Sequence, residues 1–138
     1  MFQIIFFYRI PEEENECIDF LRLYFQIKSL SMPKATVLIQ GASSGIGLEF
    51  VRQLLKRQNP THVIATCQKM ADDRLANLQK EYLKHSTHRL DVLELDVRYQ
   101  DQFDTFGQQV DQCLNDLKRE RGLDMLINCA HICKTTIE

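Results

Sequence analysis

Val37-Leu38-Ile39 runs without a polar break into Gln40-Gly41-Ala42-Ser43-Ser44-Gly45-Ile46-Gly47-Leu48, and this junction constrains the fold more than any other stretch. A buried strand must end there, pass through a glycine-rich turn and open a helix. Glycines at 41, 45 and 47 let the backbone turn sharply and come close to a ligand. The free N–H groups of the new helix, together with its dipole, favour an anion in that turn. A dinucleotide pyrophosphate is the fitting candidate. The spacing Gly-x-x-x-Gly-x-Gly differs from the general Gly-x-Gly-x-x-Gly fingerprint. It is not a P-loop either, because Gly47-Leu48-Glu49 stands where Gly-Lys-Ser/Thr is needed, so nucleotide hydrolysis is disfavoured. Taken alone, such a turn is as easily a plain small-residue joint between strand and helix; the flanking periodicity weighs against that.

From Thr36 onward strand and helix patterns alternate. Apolar, β-branched runs at Thr36 to Ile39, His62 to Thr66, Leu90 to Leu95 and Asp124 to Asn128 read as strands. Between them, Ile46, Phe50, Val51, Leu54 and Leu55 share one helical face, which ends before Pro60. Leu75, Leu78 and Tyr82 mark a second helix. Phe103, Phe106, Val110, Leu114 and Leu117 form the stripe of a third, stopped by Gly122. Repeated strand, helix, strand implies a parallel sheet with right-handed crossovers. No internal repeat or low-complexity segment interrupts it.

The 138 residues, 44% hydrophobic and 26% charged, suit one globular domain burying about two thirds of its unfolded surface. A net charge of −2, with no basic block interleaved with aromatics, gives no reason to expect nucleic acid. Five cysteines, at 17, 67, 113, 129 and 133, form no Cys-x-x-Cys pair, which points to a reducing compartment. Met1 to Ile10 is apolar, but it is too short to span a bilayer and lacks a basic leader and a cleavage site. The expectation is a cytoplasmic protein with no membrane partner.

The chain divides near Met32-Pro33 into an N-terminal extension (1–33) and a partial dinucleotide-binding domain (34–138). Pro11 with Glu12, Glu13, Glu14 and Glu16 suits a helix start, and Cys17, Ile18, Leu21, Tyr24 and Phe25 then share a face. Such an amphipathic helix would pack on the domain or meet a partner. A dispensable upstream segment, with Met32 opening the domain proper, is the plainer alternative. Cys129, His131 and Cys133 alternate as zinc ligands can, but no fourth ligand accompanies them, and no metal is expected. His85 and His88 sit in a polar stretch and read as solvated.

Gln40-Gly41-Ala42-Ser43-Ser44-Gly45-Ile46-Gly47 resembles the Thr-Gly-x-x-x-Gly-x-Gly motif of the short-chain dehydrogenase/reductase family. Leu95-Asp96-Val97 resembles that family's adenine-binding acid after the third strand, and Leu126-Ile127-Asn128-Cys129-Ala130 its fourth-strand Asn-Asn-Ala-Gly motif. With Ile64-Ala65-Thr66-Cys67 and Gly122-Leu123-Asp124, the run from Lys34 to Ile132 is most similar to carbonyl reductases of the sniffer or C-factor type. The resemblance implies an α/β, Rossmann-like three-layer fold with a parallel sheet, truncated after the fourth strand. It implies a cofactor half-site: Gly41, Ser43, Ser44, Gly45, Ile46 and Gly47 around the pyrophosphate, Asp96 accepting from the adenine amino group, and backbone at Val97, Asn128 and Ala130 lining the crevice. Family chemistry is hydride transfer between a nicotinamide cofactor and a carbonyl or alcohol.

Departures from the family pattern qualify that site. Gln40 stands where a threonine would tie the turn to the fourth strand, and Cys129 and His131 replace an asparagine and a glycine. The family's catalytic Ser and Tyr-x-x-x-Lys come from beyond the fourth strand, so no catalytic residue is assigned and independent catalysis is not expected. Tyr24 and Lys28 have that spacing but precede the turn. The alternative is a non-enzymatic dinucleotide-binding or interaction module. NADP is expected over NAD, because Thr66-Cys67-Gln68-Lys69 offers no acid to the ribose 2′-hydroxyl and Lys69 can meet a 2′-phosphate. The last strand is expected to leave a bare sheet edge open to self-association.

Overall fold

The computed structural model describes residues 4–7, 34–70, 73–83, 87–116 and 122–129. In chain order these form strand β1 (Ile4–Phe7), strand β2 (Ala35–Gln40), helix α1 (Gly45–Leu55), strand β3 (Thr61–Cys67) and helix α2 (Asp73–Leu83). Strand β4 (Arg89–Glu94), a 3-10 turn (Gln100–Gln102), helix α3 (Phe103–Asp116) and strand β5 (Met125–Asn128) follow. The strands make one five-stranded sheet in the order β1-β5-β2-β3-β4, every neighbouring pair parallel.

The layers follow from side-chain alternation along the strands. Val37, Ile39, Val63, Ala65, Met125 and Ile127 point to one face, where they pack with Leu48, Val51, Leu54 and Leu55 of α1 and Leu75 of α2. Leu38 and Ile64 point to the other and meet Val110 and Leu114 of α3, with Phe106 and Leu126 partly buried around them. Strand β3, interior to the sheet and covered on both faces, is buried along its whole length, as a parallel strand between two helical layers must be. Phe103, expected on the α3 stripe, is exposed instead. It stands in the first turn of the helix, directly after the 3-10 turn and one turn ahead of the contact that Phe106 makes. Leu117 lies outside the described residues.

Two expectations are corrected. The outer edge of β5 is not bare: β1 pairs with it in register from Ile4↔Met125 to Phe7↔Asn128. The physical reason is that an apolar run of extended backbone satisfies the donors and acceptors that β5 would otherwise present unpaired. The amphipathic stretch from Pro11 to Phe25 lies outside the described residues. His88 is not a solvated loop residue: its Nδ1 accepts from the Thr61 N–H at 3.0 Å, leaving Nε2–H to donate to the Arg57 carbonyl at 2.9 Å. It thereby closes the entry to β3. His85 lies outside the described residues.

Candidate cofactor site

All five strands point the same way, so their C-terminal ends form one rim. From β2 the chain moves to β3 on one side, while β5 returns to β2 on the other. The crevice between β2 and β5 is therefore a topological switch point, the place where open α/β sheets take ligands. Gln40 and Asn128 face each other across it, and the Cys129 N–H donates to the Gln40 carbonyl at 2.9 Å. The tie between turn and β5 thus runs through backbone at Gln40, needing no hydroxyl there.

Above this crevice stands the glycine turn. Gly41 and Gly45 have φ of 73° and 55°, in the left-handed region where a side chain is strained. The Gly41 N–H donates to the Thr66 hydroxyl at 3.1 Å, and the Ala42 N–H to the Thr66 carbonyl at 2.9 Å, so β3 holds the turn from the far side. A Cβ on Gly47 would stand 2.2 Å from the Gly41 carbonyl oxygen, which means that the helix packs against the turn backbone itself. A Cβ on Gly45 would meet nothing within 4 Å, so that side of the turn is open.

The start of α1 carries neither a side-chain cap nor an acid. Ser44 occupies the N-cap in extended conformation but makes no side-chain capping bond, and the first turn carries no acid. Helix-leading N–H groups of this kind can donate to an anion. Ser43 is half-buried and Ser44 exposed beside the open face, while Ile46 packs partly against the core and anchors the turn.

Asp96 and Val97 lie at the same rim beyond β4. The Leu95 N–H donates to the Cys67 carbonyl at 2.8 Å and the Asp96 N–H to Gln102 Oε1 at 3.1 Å, which fixes the backbone on both sides. Asp96 is buried, and hydrogen bonds from Arg98 hold its carboxyl down at about 2 despite that burial. Lys69 is exposed in the segment leaving β3, which is tethered where the Met70 N–H donates to Glu94 Oε2 at 3.2 Å. Burial pushes the Cys129 thiol up to about 12, so it stays protonated and is no nucleophile at neutral pH. Asn128 is half-buried at the crevice; Ala130, His131 and Cys133 lie outside the described residues.

Thr66 and Arg98 were not among the residues expected at the site. The signal for Thr66 was present, since a hydroxyl at the end of the neighbouring strand is a natural acceptor for an orphan turn amide. Arg98 contacts a residue two positions away within a turn, which no periodicity reveals.

A family model described as short chain dehydrogenase matches residues 35–138. The chain belongs to the short chain dehydrogenase family. Among solved structures it is similar to the NADPH-bound carbonyl reductase from chicken fatty liver, with 33% identity and a TM-score of 0.60. That match covers 78% of this chain and 39% of the reductase, so the chain spans well under half of its relative's length. Comparison with curated proteins gives no match. This short chain dehydrogenase domain is thus related to carbonyl reductases and has their Rossmann-like α/β architecture. No helix among its described residues is long and apolar enough to cross a membrane.

Proposed function

We propose that this chain is the dinucleotide-binding half of a carbonyl-reducing short chain dehydrogenase and that it takes NADP(H) in preference to NAD(H). The observation that carries the reading is the cradle at the start of α1: a cap without a side-chain bond, no acid in the first turn, and Gly47 packed directly on Gly41. Gly41, Ser43, Ser44, Gly45, Ile46 and Gly47 would hold the pyrophosphate, Asp96 and Val97 the adenine, and backbone at Asn128 and Ala130 the crevice wall. When bound, the cofactor supplies a hydride to a carbonyl carbon. The chain's own part is to bind and orient it. No Tyr-x-x-x-Lys follows the glycine turn within these 138 residues, so the proton for the resulting alkoxide has no assigned donor here. The neighbour's NADPH supports the choice of cofactor, and so does the lack of an acid between Thr66 and Met70.

Calorimetric titration tests both parts. NADPH is expected to bind about tenfold more tightly than NADH, a difference of about 1.4 kcal/mol, because a single exposed lysine contacts the 2′-phosphate without the fork of an arginine. Lys69→Glu should erase or reverse the ratio. A ratio unchanged in that variant would remove Lys69 from the site, and no binding of either nucleotide would overturn the cofactor reading.

A further inference from the structure

Among the described residues, Arg98 engages both oxygens of the Asp96 carboxylate. Oδ1 accepts from the Arg98 backbone N–H at 3.1 Å and from its Nε at 2.9 Å; Oδ2 accepts from Nε at 3.2 Å and from Nη2. A carboxylate offers about four acceptor positions, and three Arg98 N–H groups, with Nε shared between the two oxygens, occupy most of those on Asp96. The acid is buried, yet the side chain that occupies it is half exposed, with its guanidinium carbon 5.6 Å from the centre of the exposed Tyr99 ring. Arg98 can therefore leave for solvent, where water satisfies its donors.

From this arrangement we infer that Arg98 is a guard on the adenine seat: its side chain competes with a purine amino group for Asp96, and binding of an adenine nucleotide requires it to swing away. The inference rests on the adenine role proposed for Asp96. A guanidinium donating charge-assisted bonds to both oxygens is a stronger partner than the neutral amino group of adenine, so the exchange costs affinity. The backbone N–H of residue 98 remains on Oδ1 whatever the side chain, which keeps the carboxylate aimed once the guanidinium is gone. Arg98 thus sets how well the site discriminates an amino-bearing purine from one without it.

Two opposed effects make the test sharp. Deleting a cation beside a polyanionic ligand weakens binding by simple electrostatics, whereas removing a competitor strengthens it. Arg98→Ala is expected to tighten NADPH binding about two- to tenfold, the scale of one net hydrogen bond. The gain should disappear with the hypoxanthine analogue of NADPH, whose purine lacks the amino group, and also in an Asp96→Asn background. Arg98→Gln, which keeps a neutral donor, should fall between. NADPH binding to the wild type that is equal or weaker in Arg98→Ala, or a gain of the same size with the hypoxanthine analogue, would overturn the guard while leaving the cofactor reading intact. Absence of NADPH binding in every variant, wild type included, would instead overturn the cofactor reading and the guard with it.

Discussion

Gly47 has no room for a side chain, because the obstacle 2.2 Å from a Cβ is the Gly41 carbonyl and not the movable end of a neighbour. Gly47→Ala must open the turn, and the expected result is loss of measurable NADPH binding together with lowered stability in urea. Gly45→Ala makes a useful contrast. It meets empty space but strains a backbone at φ 55°, costing about 1–2 kcal/mol, so it should weaken binding less. Equal NADPH affinity in Gly47→Ala and wild type would exclude the turn as the phosphate cradle. Asp96 supplies the pH dependence. Its folded value of about 2 lies below the ordinary carboxylate value near 3.9, so the Arg98 pair stabilises the fold fully above that ordinary value. That contribution fades as pH falls through about 2. Carboxyl-carbon NMR should find the Asp96 midpoint near 2 in the wild type and moved towards 3.9 in Arg98→Ala; an unmoved midpoint would contradict the pairing.

Strands β2 to β5 were legible because each carries a run of apolar residues, and the observed bounds, such as Thr61–Cys67, lie within a residue of those read from the sequence. Strand β1 was not. A short apolar run has no period of its own, and the partner that makes Ile4–Phe7 a strand lies on the far side of the domain sequence at Met125–Asn128. The glycine turn was legible as a sharp strand-to-helix turn because the φ values of Gly41 and Gly45 and the close approach at Gly47 all demand glycine. The hold that Thr66 exerts on it and the bond from His88 to Thr61 depend on which strands become neighbours, which composition cannot say. Pairing by β1 leads to an element-scale prediction. Deleting residues 1–7 should expose the β5 edge, speed amide exchange in Met125–Asn128 and bring out self-association in sedimentation. A truncated chain that stays monomeric with β5 fully protected would show that β1 contributes nothing to that edge.

As a whole the molecule gathers the five strand ends on one rim, proposed above to bind and orient the cofactor, with its helices divided between two faces of the sheet. On the proposed reading no acid for the alkoxide is assigned among these 138 residues, and a general acid contributes about 10²- to 10⁴-fold to such a rate. The 138-residue polypeptide is accordingly expected to quench or shift NADPH fluorescence without consuming the nucleotide when a ketone or aldehyde is added. Carbonyl-dependent NADPH oxidation that co-purifies with the chain and is abolished by Gly47→Ala would refute this. The register of the outermost strand also bears on assembly over time. Ile4 finds its partner at Met125, so β1 can be seated only after β5 has been made. During translation those residues must wait beside a growing surface, with chaperones and neighbouring nascent chains as rivals for the same backbone. Slow synthesis would lengthen that exposure, so yield should respond to codon choice between β1 and β5, even though the finished sheet is the same.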